Sequence, residues 1–431
     1  MVLVHSHTLS NGARVLFRPT PDKQILSVAA AVPWGARNDA AEQAGRTSLM
    51  ARLLTKGAGE RSAFQIADAL ESIGGSIDSF CTPDALGMET HTVQVDWKLA
   101  LEVLSDCLFR PTFDAEEFDK ERALVQSEIL RENDRKFSFT YKAFQKLYYR
   151  GHPYAVSSEG EIETVAKLER AMLPSLHASV MDPSQMLIVA VGNVPEEEFL
   201  SELESRWPQN AAAPAAIAKG VTIAAGAGRG ERVEVSREFE QGFVIAGYPA
   251  PDAGAEDSAA LRLACAILGE GMSARLFARL RDRDHLAYAV GASFSVRALA
   301  SQMVAYIGTG ADTVDQALEG IVRETQGLLS NAPTTEEIER ARQYILGKYL
   351  IGRQTNAALT QSMLGCEMLG LGWEYGETFP ERIQSVTAAQ IQEAAEKYLT
   401  NPAIAVLRPS GKPGAEAIID DEEDDEEEGD E

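Results

Sequence analysis

Three positions in the stretch GRTSLMARLLTKGA, residues 45 to 58, have the spacing of a catalytic metal site without its chemistry. On a helix, positions i, i+3 and i+4 share one face. Two imidazoles and a carboxylate set there could grip a metal ion and take a proton from its bound water. Here those positions hold Ser48, Ala51 and Arg52. The Arg52 guanidinium would also repel a divalent ion by about 8 kcal/mol at roughly 4 Å and an effective dielectric near 20. The stretch therefore reads as a metal-binding helix that has lost its ligands. It is kept because Leu49, Leu53 and Leu54 would pack inward in any case.

The remaining histidines do not rebuild such a site. His5 and His7 are read as a surface feature of a strand, and His152, in GHPY, as ordering a loop. His91, His177 and His285 are scattered and form no helical pair with a carboxylate. The chain contains neither a glycine-rich phosphate loop nor a nucleophile–base motif.

The elements that must carry these residues repeat. ALEVLSDCLFRPTFDAEEFDKER begins at Ala100 and is answered by ALEGIVRETQGLLSNAPTTEEIERAR from Ala317. IETVAKLERA from Ile162 is answered by IQSVTAAQIQ from Ile383, and Asp182-Pro183 by Asn401-Pro402. The shifts are 217, 221 and 219 residues, so the chain is a duplication of two homologous halves. In both copies a helix start follows Pro-Thr, with Asp114 and Thr334 as N-caps and Glu117 and Glu337 three residues on. ARVLFRPT, LSVAAAVPWG, METHTVQV and MLIVAVGNV read as strands. SAFQIADALESIGG, WKLALEVLSDCLF and AEEFDKERALVQSEILREN have helical periodicity. Helices run between strands that pair mostly as hairpins, which makes the class α+β. The expected division is 1–207, a linker at 208–225 in Pro/Ala-rich sequence, a second domain at 226–412 and a disordered acidic tail at 413–431.

Composition bounds the function. The formal charge is −25, of which residues 416–431 hold twelve acidic and no basic groups, leaving −13 on the rest. That balance argues against nucleic acid and anionic membrane surfaces as partners. Cys81, Cys107, Cys265 and Cys366 form no pair motif, which fits a reducing compartment. With no secretory leader or membrane-spanning run evident, a cytoplasmic location is expected.

The order of motifs resembles the pitrilysin/insulinase-type zinc peptidases, in particular mitochondrial processing peptidase and its bacterial relatives. LSNGARVLFRP resembles the family's opening strand, and GRTSLMARLLTKGA falls where the inverted motif His-x-x-Glu-His belongs. IADALESIGGSIDSFCTPD resembles the next helix and strand, and FDKERALVQSEI the helix that bears the third metal ligand, aligned with Glu128. GHPYAVSSEGEIETV and MLIVAVGNV match the end of that domain, and GMSARLFARLRDRDHLAYAV the substrate-binding segment of the second.

The resemblance implies two homologous domains, each a mainly antiparallel sheet with helices packed on one face. It also implies that Glu128 is a remnant ligand, expected to pair with Arg52. Arg281 and Tyr288, seven residues apart, take the places of the family's pair that binds substrate backbone near the scissile bond. A guanidinium and a phenol can each donate to a carbonyl oxygen that becomes negative as water adds.

The metal half of the machinery is thus lost and the carbonyl-binding half kept. This implies a non-zinc-binding subunit of a heterodimeric zinc metallopeptidase acting on peptides or unfolded polypeptides. The partner would be a paralogous subunit with an intact His-x-x-Glu-His motif. Zinc is expected in that partner and none in this chain, which alone would be inactive. The alternative is a non-catalytic structural or assembly subunit of a larger complex. Only ILGEGMSARLF stands where the mitochondrial non-catalytic subunit has a long glycine-rich loop, which argues against a presequence-handling role.

Overall fold

Strand sequences such as VAAAV (28–32) and LIVAV (187–191) are apolar at every position, not at alternate ones, and such strands need cover on both faces. The computed structural model, which describes residues 3–209 and 226–410, provides it. All but the first two residues of the expected linker, and the whole acidic tail, lie outside the described residues.

In the first half, β1 (His5–Thr8), β2 (Arg14–Pro19), β3 (Ile25–Val32), β4 (Ser76–Cys81), β5 (Leu86–Val93) and β6 (Leu187–Gly192) form one sheet in the order β1-β2-β6-β3-β5-β4. Between them run α1 (Arg46–Leu53), α2 (Ala63–Glu71), α3 (Trp97–Phe109), α4 (Ala115–Asp134), α5 (Lys136–Tyr148), α6 (Ile162–Val165) and α7 (Leu173–Val180), and α8 (Glu196–Arg206) follows. In the second half, β7 (Arg232–Arg237), β8 (Gln241–Pro249), β9 (Ala289–Ser295), β10 (Gln302–Gly310) and β11 (Ala403–Pro409) take the order β7-β11-β8-β10-β9. Its helices are α9 (Ser258–Gly269), α10 (Val314–Ser330), α11 (Thr335–Ile351), α12 (Asn356–Met368), α13 (Glu374–Ser385) and α14 (Ala388–Tyr398). Apart from β2 with β6 and β11 with β7, the pairings are antiparallel. The chain is therefore α+β, with two matching sheets, as its repeat implied.

Helix starts lie where the caps direct them. Asp114 accepts from the amides of Glu116 and Glu117, and Thr334 forms a reciprocal capping box with Glu337.

Strand parity sorts the core. On one face of the first sheet Val15, Phe17, Val28, Ala30 and Ile188 meet the helices of their own half. The other face, with Leu16, Ala29, Ala31, Val189 and Val191, is covered by Leu359, Met363 and Leu364 of α12, a helix from the second half. The exchange is reciprocal. Phe243, Ile245, Ala405 and Leu407 of the second sheet pack against Phe144 and Tyr148 of α5 and Tyr149 at its end, from the first half. The α5 helix approaches so closely that a Cβ on Gly247 of β8 would lie 2.1 Å from the Phe144 ring, so only glycine fits there. Polar contacts fix both docked helices: Asn356 donates to the Ile25 carbonyl at 2.8 Å, and the Tyr149 hydroxyl to the Ala300 carbonyl at 2.9 Å.

Candidate functional site

Helix α1 forms as expected, with Leu49, Leu53 and Leu54 fully buried. Away from these leucines it carries Ser48, which is buried, and Arg52, which is partly exposed. The Arg52 guanidinium lies 2.5 Å from the Glu128 carboxylate on α4 and 3.5 Å from that of Glu159. Ser48 donates to the same Glu159 oxygen at 2.9 Å. The expected Arg52–Glu128 pair is thus formed, and Glu159, which sequence spacing did not flag, closes the cluster. Burial works against the Arg52 charge, but the hydrogen bond it donates to Glu128 and the field of Glu159 override it and hold the guanidinium above its ordinary pKa. Arg52, Glu128 and Glu159 line a cleft of about 390 Å³ together with Glu132, Arg135 and Lys142.

The donor set does not fit zinc. A guanidinium stands where a neutral imidazole would have to be, Ala51 offers no base, and two carboxylates are committed to Arg52. What the cluster does chemically is neutralise charge. As the partners are about 30–40% exposed, the pair contributes at most about 1 kcal/mol.

The second candidate pair is built on a π-helical turn, Phe277–Arg283. His285, at φ 54°, reverses the chain toward β9 in the left-handed conformation, uncommon for a non-glycine residue. Arg281 donates to the backbone carbonyl of Tyr288 at 3.1 Å, and its guanidinium lies 4.9 Å from the centroid of the Phe277 ring. The two predicted residues are therefore brought together. The Tyr288 ring lies on Gly308 of β10, where a Cβ would come within 2.4 Å of it. The Lys136 ammonium is 5.8 Å from the ring centroid. Burial pushes the Tyr288 phenol up to about 12, so it stays protonated, a donor, at any physiological pH. Its hydroxyl makes no hydrogen bond among the described residues, and the side chain is 40% exposed. The cleft beside α1 and this pair are linked by one run of chain: Glu128 and Arg135 border the cleft, and Lys136 reaches Tyr288.

The segment leading into the turn is anchored by Arg275, which grips Glu337 of the α11 capping box with two bonds of 2.7 and 2.9 Å. The Arg275 bond outweighs desolvation and, with the Thr334 amide, holds the Glu337 carboxyl down at about 2. A depressed carboxylate contributes stability that is present above its unfolded pKa near 4.3 and is lost as the pH falls toward the folded value. Glu337→Gln is therefore expected to lower stability by about 1–2 kcal/mol at pH 7. In urea unfolding at stepped pH, the gap from wild type should close between about pH 5 and 2.

His152 orders its loop as expected, with Nδ1 accepting from the Tyr154 amide at 3.1 Å. His5 and His7 do lie on a strand. They also converge on Glu196, far away in sequence, which spacing could not have revealed. Among the described residues no helix is long and apolar enough to cross a membrane.

Comparison with known proteins bears on the whole chain. The family pattern described as insulinase (peptidase family M16) matches residues 14–160, and that described as peptidase M16 inactive domain matches 167–345. The uncharacterized zinc protease YmxG of Bacillus subtilis is 25% identical over 414 residues, 95% of this chain and 99% of that protein. The uncharacterized zinc protease Rv2782c of Mycobacterium tuberculosis is 27% identical over 413 residues, 94% and 93% of the two chains. Among solved structures, a peptidase M16 inactive domain from Pseudomonas fluorescens superposes with a TM-score of 0.86 at 20% identity, covering 96% of this chain and 100% of that one. A protease from Helicobacter pylori does so at 0.86 and 18%, covering 95% and 99%.

Proposed function

The chain belongs to the insulinase-type peptidase family M16, and from that premise we propose that it is the non-zinc-binding subunit of a heterodimeric metallopeptidase. One observation carries the reading: the Arg52 guanidinium is locked between Glu128 and Glu159 where a metal would sit, while the Arg281–Tyr288 pair is assembled. Erosion is confined to one half of the machinery. The partner would be a paralogous chain with an intact His-x-x-Glu-His motif and zinc, and the substrates peptides or unfolded polypeptides. This chain would leave its own motif positions metal-free and contribute Arg281 and Tyr288 to binding the substrate backbone and stabilising charge on its carbonyl. A cytoplasmic setting is consistent with four free thiols, of which Cys107 is buried and pushed up to about 12, hence inert.

The test is reconstitution. The chain alone should cleave no fluorogenic peptide, and co-expression with a zinc-bearing paralogue should give a complex that does. Cleavage by this chain alone, or failure of any such complex to form, would overturn the reading. A finer expectation concerns Gly308. Gly308→Ala places a methyl against the Tyr288 ring and displaces the phenol without deleting it. Turnover of the complex should fall about 100-fold, as for a donor moved by about 1 Å, with zinc content unchanged.

A further inference from the structure

A second cluster lies away from both features, at the edge of the first sheet. Strand alternation puts His5 and His7 of edge strand β1 on one side, with Ser6 turned out. Glu196, the first residue of α8, reaches up to both of them. His5 Nδ1 is 2.5 Å from one carboxylate oxygen and His7 Nε2 is 2.6 Å from the other. The three ligating atoms lie within 4.8 Å of one another, and the imidazole planes are at 88°. Both supporting elements are held by the core. The β1 strand is paired with β2 along its length, and α8 is held by buried Phe199, whose ring meets Phe17 at 5.7 Å and Trp97 at 5.9 Å.

We propose that His5, His7 and Glu196 form a binding site for a zinc-class divalent transition ion, clamping the sheet's edge strand to the start of α8. The donors are two imidazole nitrogens and one carboxylate, a set that suits zinc, copper or nickel and not the oxygen-seeking magnesium or calcium. Zinc–nitrogen and zinc–oxygen bonds of about 2.0–2.2 Å in a tetrahedral arrangement set ligand atoms roughly 3.4 Å apart. The present contacts of 2.5 and 2.6 Å therefore need to open by less than about 1 Å. Without metal, each imidazole presents an N–H to the carboxylate. With metal, each presents its lone pair and carries its proton on the other ring nitrogen, so the exchange releases no net proton from neutral rings. The three side chains are 23–37% exposed, which lets water complete the coordination shell.

The sequence expectation was of a chain that binds no metal; the proposed site differs from it at this edge alone and leaves the expectation for Ser48, Ala51 and Arg52 as it was. The site is independent of the proposed partnership, and its failure would leave that reading untouched.

The test uses full-length protein without a polyhistidine tag, stripped with a chelator and titrated with zinc alone by calorimetry. Wild type should take up about one zinc per chain, with a rise in melting temperature. His5→Gln/His7→Gln, and separately Glu196→Gln, should lose both the uptake and the rise while melting like wild type in chelator. Arg52→Ala should keep both, which locates the ion away from the eroded motif. Absence of zinc uptake by wild type, or undiminished uptake by both the double variant and Glu196→Gln, overturns the proposal.

Discussion

In a complex of this chain with a zinc-bearing partner, Arg281→Ala and Tyr288→Phe are each expected to lower turnover about 100- to 1000-fold, the usual effect of deleting one donor to a developing oxyanion, roughly 3–4 kcal/mol. As water adds to a peptide carbonyl, its oxygen becomes negative, and a guanidinium and a phenol held beside it lower the barrier without binding metal. Arg281 is steadied by the Tyr288 carbonyl and the Phe277 ring, and Tyr288 lies on Gly308 with its proton retained. Assembly and zinc content should be unchanged in both variants. Arg281→Lys should rescue poorly, because a compact ammonium lacks the planar fork. If steady-state kinetics show near-full turnover for both variants in an intact complex, the chain is a scaffold, and a structural or assembly role replaces the catalytic one.

Phe144→Ala is expected to cost about 3–5 kcal/mol, the range for removing a fully buried aromatic ring. The loss should be felt by both halves of the chain, because Phe144 belongs to the first half and packs on the sheet of the second. Urea unfolding should give one transition with its midpoint moved down. Three of the four tryptophans, Trp34, Trp97 and Trp207, lie in the first half and report it, while helical circular dichroism reports both. Two separated transitions would show that the docked helix does not couple the halves.

How much of this was legible in the sequence depends on how far apart the interacting residues are. Helix α3 occupies the run Trp97–Phe109 that periodicity marks out, because its buried positions recur at helical spacing. The Arg52–Glu128 pair was legible through the family resemblance, which sets Glu128 at a ligand position facing the helix that carries Arg52. Glu159 was not, since it lies in a loop with no periodic signal, and neither was Glu196, which meets its histidines only when α8 folds back on the edge strand. The aromatic face of α5 carries a different ambiguity. Phe144 and Tyr148 announce a buried helix, but hydrophobicity does not say whose sheet buries it. The clue was in the strands: β3 and β6 are buried on both faces, more than one layer of neighbouring helices can account for.

That reciprocal cover has a consequence during synthesis. The first sheet is complete once β6 has left the ribosome at Gly192, but the helix that shields its second face ends only at Met368. At about 5–20 residues per second, the intervening 176 residues take roughly 10 to 35 s to appear. Throughout that interval the nascent chain would present Leu16, Ala29, Ala31, Val189 and Val191 as an uncovered apolar surface. A chaperone that holds emerging chains could occupy it until α12 arrives and displaces it.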